Sequence, residues 1–171
     1  MELTKKDRVI LINQYNILKR LDPDNSGYYD ELIEILQNGY QIFYSKVDEW
    51  ICDDMPAGEG RFVLDLLDIY RMVEHYKHNN PADKELDEHP WGQFRGFDGN
   101  NETEYFGFTN FVIGIQGKFT EQEKYRGNTD GFNSHMQVLE KYKGMVRKWH
   151  TMGRVYETSK TAILEILDAE A

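Results

Sequence analysis

The sequence predicts an all-α protein of about seven helices, on three observations. Apolar residues recur at three- and four-residue spacing through most of the chain. Caps and stop signals fall at the ends of those runs. Convincing runs of apolar–polar alternation, the mark of half-buried strands, do not occur between the turn signals.

The elements follow in order. Thr4 with Asp7 resembles a capping box, Asp standing where Glu or Gln is usual. Leu11, Tyr15, Leu18 and Leu21, flanked by Ile12, then carry a first helix, and the cluster Asp22-Pro23-Asp24-Asn25-Ser26-Gly27 turns the chain. Leu32, Ile33 and Leu36 mark a second helix, with Gly39 placed to end it. A third is expected from about Tyr40 to Ile51, with Phe43, Val47 and Trp50 inward. The fourth, from about Gly60 to His78, has two adjacent apolar rows, Phe62-Leu66-Ile69-Val73-Tyr76 and Val63-Leu67-Tyr70. A stripe that wide predicts a central, heavily covered helix.

Between Asn80 and Glu104 there are seven acids, two bases and two prolines. The first part, 80–95, reads as an acidic linker or lid. A fifth helix is expected to start with Asn101 as N-cap and Glu104 in its first turn. It carries Tyr105, Phe108, Phe111, Val112, Ile115 and Phe119, with Gly107, Gly114 and Gly117 inside it. Ser134 is the expected cap of a sixth helix burying Leu139, Tyr142, Val146 and Trp149, which Gly153 ends. A last helix starts near Ser159. The expected core pair is the fourth and fifth helices. At 171 residues the chain suits one domain over 1–171. Lobes at 1–79 and 96–171, joined by the 80–95 linker, are the alternative organisation.

Composition narrows the function. The net charge of −10 opposes broad binding to a nucleic-acid backbone. No apolar run approaches the ~18 residues of a membrane span, and the N-terminus lacks a secretory h-region. One cysteine, Cys52, excludes an internal disulfide and fits a cytoplasmic setting. It stands beside Asp53 and Asp54, an acidic neighbourhood unsuited to a thiolate nucleophile.

Three stretches together resemble the YfbU family. They are Asn13-Gln14-Tyr15 through Leu21-Asp22-Pro23; Gly96-Phe97-Asp98 with Thr103-Glu104, Phe111 and Gly117-Lys118-Phe119; and Gly131-Phe132-Asn133 with Glu140-Lys141-Tyr142 and Trp149-His150. The resemblance covers nearly the whole chain. It implies an all-α fold, a bacterial or phage origin and a cytoplasmic location, and it implies no mechanism.

Candidate sites come from the residues themselves. Asp98, Glu104 and His150, with His135, form the plausible acid–base set, Asp98 lying in a Gly-Phe-Asp-Gly turn that can aim a side chain. The alternative is that Asp98 organises the turn before the fifth helix. Lys143, Arg147, His150 and Arg154 step by four, three and four residues into one basic stripe, suited to a phosphate, an acidic peptide or a short nucleic-acid backbone. A solvated helix face is its plainer reading. Two metal patterns are incomplete. The Asp22 turn has EF-hand-like spacing, but Ile33 stands where a bidentate Glu is needed. His75 and His78 supply only two ligands for zinc. No metal is therefore assigned. With no Gly-x-Ser-x-Gly, Walker-type loop or paired CxxC, no cofactor is assigned either.

The leading expectation is a protein-binding or regulatory module that self-associates, because the fifth helix has aromatics on more than one side. The competing expectation is a hydrolase whose cleft lies between Asp98, the 127–133 loop and His150. A weaker one is an acidic decoy of a nucleic-acid-binding protein.

Overall fold

The computed structural model describes residues 2–156 and 159–170, and every extended regular element among them is a helix. The only sheet-like feature among these residues is an isolated bridge between Phe97 and Asn133. No helix among them is long and apolar enough to cross a membrane. The chain divides into two compact units, Met1–Asp54 and Met55–Ala171. The division falls ahead of the long central helix, so that helix and the 80–95 segment belong to the same unit.

The first unit is a helical hairpin with a short tail. Helix α1 spans Lys5–Leu21. Thr4 Oγ1 accepts the Asp7 N–H at 3.2 Å, and the Asp7 carboxylate accepts the Thr4 N–H at 2.9 Å, so the capping box forms as the sequence predicts. Helix α2 spans Ser26–Asn38 and ends on Gly39, whose φ of 70° a side-chain-bearing residue would resist. Leu32, Ile35, Leu36 and Tyr44 form a small core, covered by Leu3, Leu11, Ile12, Tyr15 and Val47. The helix expected from Tyr40 to Ile51 is broken. Gln41–Phe43 make a 3-10 turn, and α3 is a single turn, Ser45–Asp48. Phe43 and Trp50 are exposed rather than inward. Without a continuous helix their side chains cannot follow the Val47 row.

The second unit is built round α4, Ala57–Asn79. Val63, Leu66, Leu67, Ile69, Tyr70 and Val73 are fully buried, as the double row predicts. The expected linker is a packed element: α5, Glu85–Glu88, buries Leu86, and Phe94 is buried too. Lys77 fastens the segment by donating to the Gly92 carbonyl at 2.6 Å, and Lys160 pairs with Asp83 at 2.8 Å and Glu85 at 2.7 Å. Two buried side chains outweigh its acidic composition.

Helix α6 spans Thr103–Asn110 and continues as a π-helical turn, Phe111–Ile115. A one-turn helix, α7, Glu123–Arg126, leads towards α8, Leu139–Thr151, and α9, Lys160–Leu167, closes the unit. Ser159 caps α9 as expected. Helix α4 packs against α6, α8 and α9, so α4 is central but α6 is only one of its partners. The aromatics of the 91–132 stretch fill the space between: Phe94 stacks on Tyr142 with centroids 6.0 Å apart, and Tyr142 meets Phe97 edge-on at 5.4 Å.

Candidate functional site

Backbone pairing sets the position of Asp98. Phe97 donates its N–H to the Phe132 carbonyl and accepts from Ser134 N–H, both at 3.0 Å. This closeness requires Gly96: a Cβ there would lie 1.7 Å from the Phe132 carbonyl oxygen, and its φ is 80°. The chain then turns, and the Asp98 carboxylate accepts the Asn100 N–H at 2.9 Å and the Asn101 amide at 2.6 Å. These bonds, the Asn101 side chain first, hold its carboxyl below the usual carboxylate range. Asp98 is buried and occupied as a turn organiser.

The neighbouring carboxylate that matters is Glu102. Its Oε1 accepts the Val138 and Leu139 N–H groups at 2.9 and 2.8 Å, and its Oε2 accepts the Asp98 N–H at 2.9 Å. One buried side chain therefore caps α8 from a distance and pins the Asp98 turn to it. The caps expected at Asn101 and Ser134 are not used, since Glu102 is the N-cap residue of α6 and α8 starts at Leu139. Glu104 is exposed in the first turn of α6. His135 is exposed and lies 3.9 Å from Asp130.

His150 goes elsewhere. Its Nε2 donates to Asp65 Oδ2 at 2.7 Å, across to the middle of α4. Arg154 reaches the same oxygen at 3.1 Å, and Arg61, one turn before Asp65, approaches Oδ1 at 3.0 Å. The Asp65 side chain is 2% exposed. Its Oδ1 has no well-directed hydrogen bond among the described residues. Arg154 attains this reach from a left-handed backbone, φ 55°, directly after Gly153 ends α8.

The predicted acid–base trio is thus separated. Asp98 is bonded within its own turn, Glu104 faces solvent, and His150 pairs with Asp65. None of the three lines a described cavity. The Asp65–His150 pair has the geometry of an oriented general base, but a catalytic pair also needs a concave site beside it. The predicted basic stripe divides as well. His150 and Arg154 converge on Asp65, Lys143 turns to Glu140 at 2.9 Å, and Arg147 is exposed with no ion pair among the described residues. Asp65 and Arg61 were missed. The available signal was an acid between Leu64 and Leu66 in the helix with two adjacent apolar rows.

The metal patterns meet ordinary partners. The Asp22 carboxylate accepts from Asn25 at 2.9 Å and Tyr29 at 3.1 Å. His75 hydrogen-bonds Asn79 at 2.9 Å. His75 and His78 border a cleft of about 430 Å³ with Arg71, Glu74, Glu121 and Lys124, where Glu74 is already held by Lys124 and Tyr125. Among the described residues no three His, Cys, Asp or Glu side chains are grouped to hold a metal ion.

The first unit has a different kind of surface. Of the sixteen exposed large apolar side chains among the described residues, eleven lie in residues 9–51. Helix α1 buries no residue fully. Leu11, Ile12 and Tyr15 cover the small core, while Ile10, Ile17 and Leu21 form a second stripe in solvent, Ile17 59% and Leu21 75% exposed. Beside it Leu3, Ile10, Leu11, Val47 and Ile51 line a groove of about 360 Å³.

The chain matches the YfbU domain over residues 1–169. It is 47% identical over 169 residues to a UPF0304 protein of Methanocaldococcus jannaschii, covering 98% of this chain and 99% of the relative.

Proposed function

The chain belongs to the YfbU family, and we propose that it acts as a self-associating binding module whose N-terminal unit joins two copies. The observation that carries this reading is the second apolar stripe of α1, Ile10-Ile17-Leu21, left in solvent on a helix that already covers a core with its first. Contiguous exposed apolar surface marks interaction sites in soluble chains.

Charge favours a second copy as the occupant. Helix α1 carries five bases and one acid, whereas α2 carries three acids and no base. Lys5, Lys6 and Arg20 on α1, and Glu34 on α2, have no ion pair among the described residues. A two-fold pairing presents the same patch twice, so a surface with one basic and one acidic helix is complementary to itself. Regulation would then act by exposing or covering that face.

The test is size-exclusion chromatography with light scattering on the whole chain. Wild type is expected as a dimer or larger. The double substitution Ile17→Asp with Leu21→Asp, at exposed positions, is expected to give a monomer of unchanged helicity. A wild-type chain that stays monomeric at high protein concentration overturns the reading.

A further inference from the structure

We propose that Arg61 and Arg154, gathered with His150 round the buried Asp65 carboxylate, bind a phosphate dianion, either free or as the end group of a small monoester. The site lies wholly in the second unit and is independent of the self-association surface.

The first argument is charge. Asp65 is one negative group, 2% exposed, and two guanidinium groups already converge on it. Two arginines against one carboxylate leave a surplus positive charge. Arg147, one turn before His150 on α8, is exposed and adds to it. The nearest acid along α4, Asp68, accepts from the Tyr156 hydroxyl at 3.2 Å and lies 3.6 Å from Arg71, which also pairs with Glu121 at 2.8 Å. In a chain of net charge −10, a local cationic surplus is a specific feature.

The second argument counts donors. Arg61 approaches Asp65 through Nε, and Arg154 through one terminal nitrogen. A guanidinium has five N–H groups. Most of those on Arg61, 58% exposed, and Arg154, 43% exposed, therefore remain for a ligand. His150 donates through Nε2 to Asp65, so the ligand-facing donors are those of the two arginines. Paired guanidinium forks suit the oxygens of a phosphate. Asp65 acts as the positioning residue that holds the inner side of all three.

The third argument is strain. A non-glycine residue in the left-handed region is strained. An ion pair made by a half-exposed side chain returns little, because solvent screens it. The Arg154 pair alone therefore does not outweigh its backbone at φ 55°, and glycine would hold that turn at lower cost. An anion held by the guanidinium would offset that strain.

The experiment is a calorimetric titration of the whole chain with inorganic phosphate and, separately, with O-phosphoserine, at constant ionic strength. Saturable binding of one equivalent per chain is expected for at least one of them. Tighter phosphate binding identifies the free anion as the ligand, and tighter phosphoserine binding identifies the monoester. Arg61→Gln and Arg154→Gln are each expected to weaken binding about tenfold or more. Arg154→Gly, which keeps the turn without strain, is expected to lose binding while retaining helicity and melting temperature. Lys143→Gln, whose side chain belongs to Glu140, is expected to leave binding unchanged. Absence of saturable binding by both probes overturns the proposal, as does binding that survives Arg61→Gln combined with Arg154→Gly.

Discussion

Asp65 Oδ2 and His150 Nε2 lie 2.7 Å apart, tying the middle of α4 to the last turn of α8. The carboxylate is buried and its partners are half-exposed. Removing the carboxylate lets the partners rehydrate, while removing a partner leaves the carboxylate with fewer donors in an apolar wall. Arg61 and Arg154 still cover the loss of His150. His150→Ala is therefore expected to cost about 1 kcal/mol. Asp65→Ala, which releases His150 and both arginines and opens a small void, is expected to cost about 2 kcal/mol. Urea unfolding of both variants, compared with wild type, checks the order and the size.

Arg154 permits a direct test of its backbone strain. Alanine and glycine both remove the ion pair to Asp65, so the difference between them isolates the left-handed backbone, φ 55°. Arg154→Gly is expected to be more stable than Arg154→Ala by about 1 kcal/mol. Equal melting temperatures would show that the turn is not strained.

What could be read from the sequence was mostly local. Thr4 and Asp7 cap α1 across three residues, and Ser159 caps α9 across three, so both signals were complete where they stood. The cap of α8 was not legible, because Glu102 lies 36 residues before Val138 and no local rule connects them. The basic stripe illustrates the same limit. Its spacing was visible, but its organising carboxylate lies 85 residues from His150. Composition misled at 80–95, where many acids surround Leu86 and Phe94, and two buried side chains decide the structure. Asp98 was readable as a turn organiser from its Gly-Phe-Asp-Gly setting, and its bonds to Asn100 and Asn101 lie within three residues.

Two glycines make opposite predictions. At Gly96 an added Cβ meets the Phe132 carbonyl oxygen at 1.7 Å, at a φ of 80°. Gly96→Ala must break the pairing of Phe97 with Phe132 and Ser134, and is expected to cost more than about 3 kcal/mol. At Gly107, inside α6, an added Cβ meets nothing within 4 Å. Gly107→Ala is expected to stabilise by about 0.5–1 kcal/mol, from helix propensity alone. Thermal melts of the two variants should move in opposite directions. A loss of stability at Gly107 would show that the space beside it is not open in solution.

Glu102 predicts a larger loss than any surface carboxylate. It accepts three backbone N–H groups, those of Asp98, Val138 and Leu139, and it is 5% exposed. Removing a buried acceptor strands its donors at about 1–3 kcal/mol each when water cannot replace it. The N-terminus of α8 borders a cleft of about 340 Å³ that admits some water, so the cost falls below the full sum. Glu102→Ala is expected to destabilise by about 3 kcal/mol. Hydrogen exchange should show the loss first at the Val138 and Leu139 amides, ahead of the α4 core.

Asp98 predicts a pH dependence of known sign. Its carboxyl is held below the ordinary value of 3.8 in the folded chain, by the Asn101 amide first and then the Asn100 N–H. A depressed folded pKa means that the ionised group contributes stability above the unfolded value, and that this contribution is lost as the pH falls through the folded one. Asp98→Asn removes the charge but keeps the shape. The variant is therefore expected to be less stable than wild type at about pH 7, with the difference shrinking as the pH is lowered below about 4. Urea titrations at neutral and acid pH measure that difference directly. A gap between the two proteins that is as wide in acid as at neutrality would mean that the Asp98 charge contributes nothing to holding the turn.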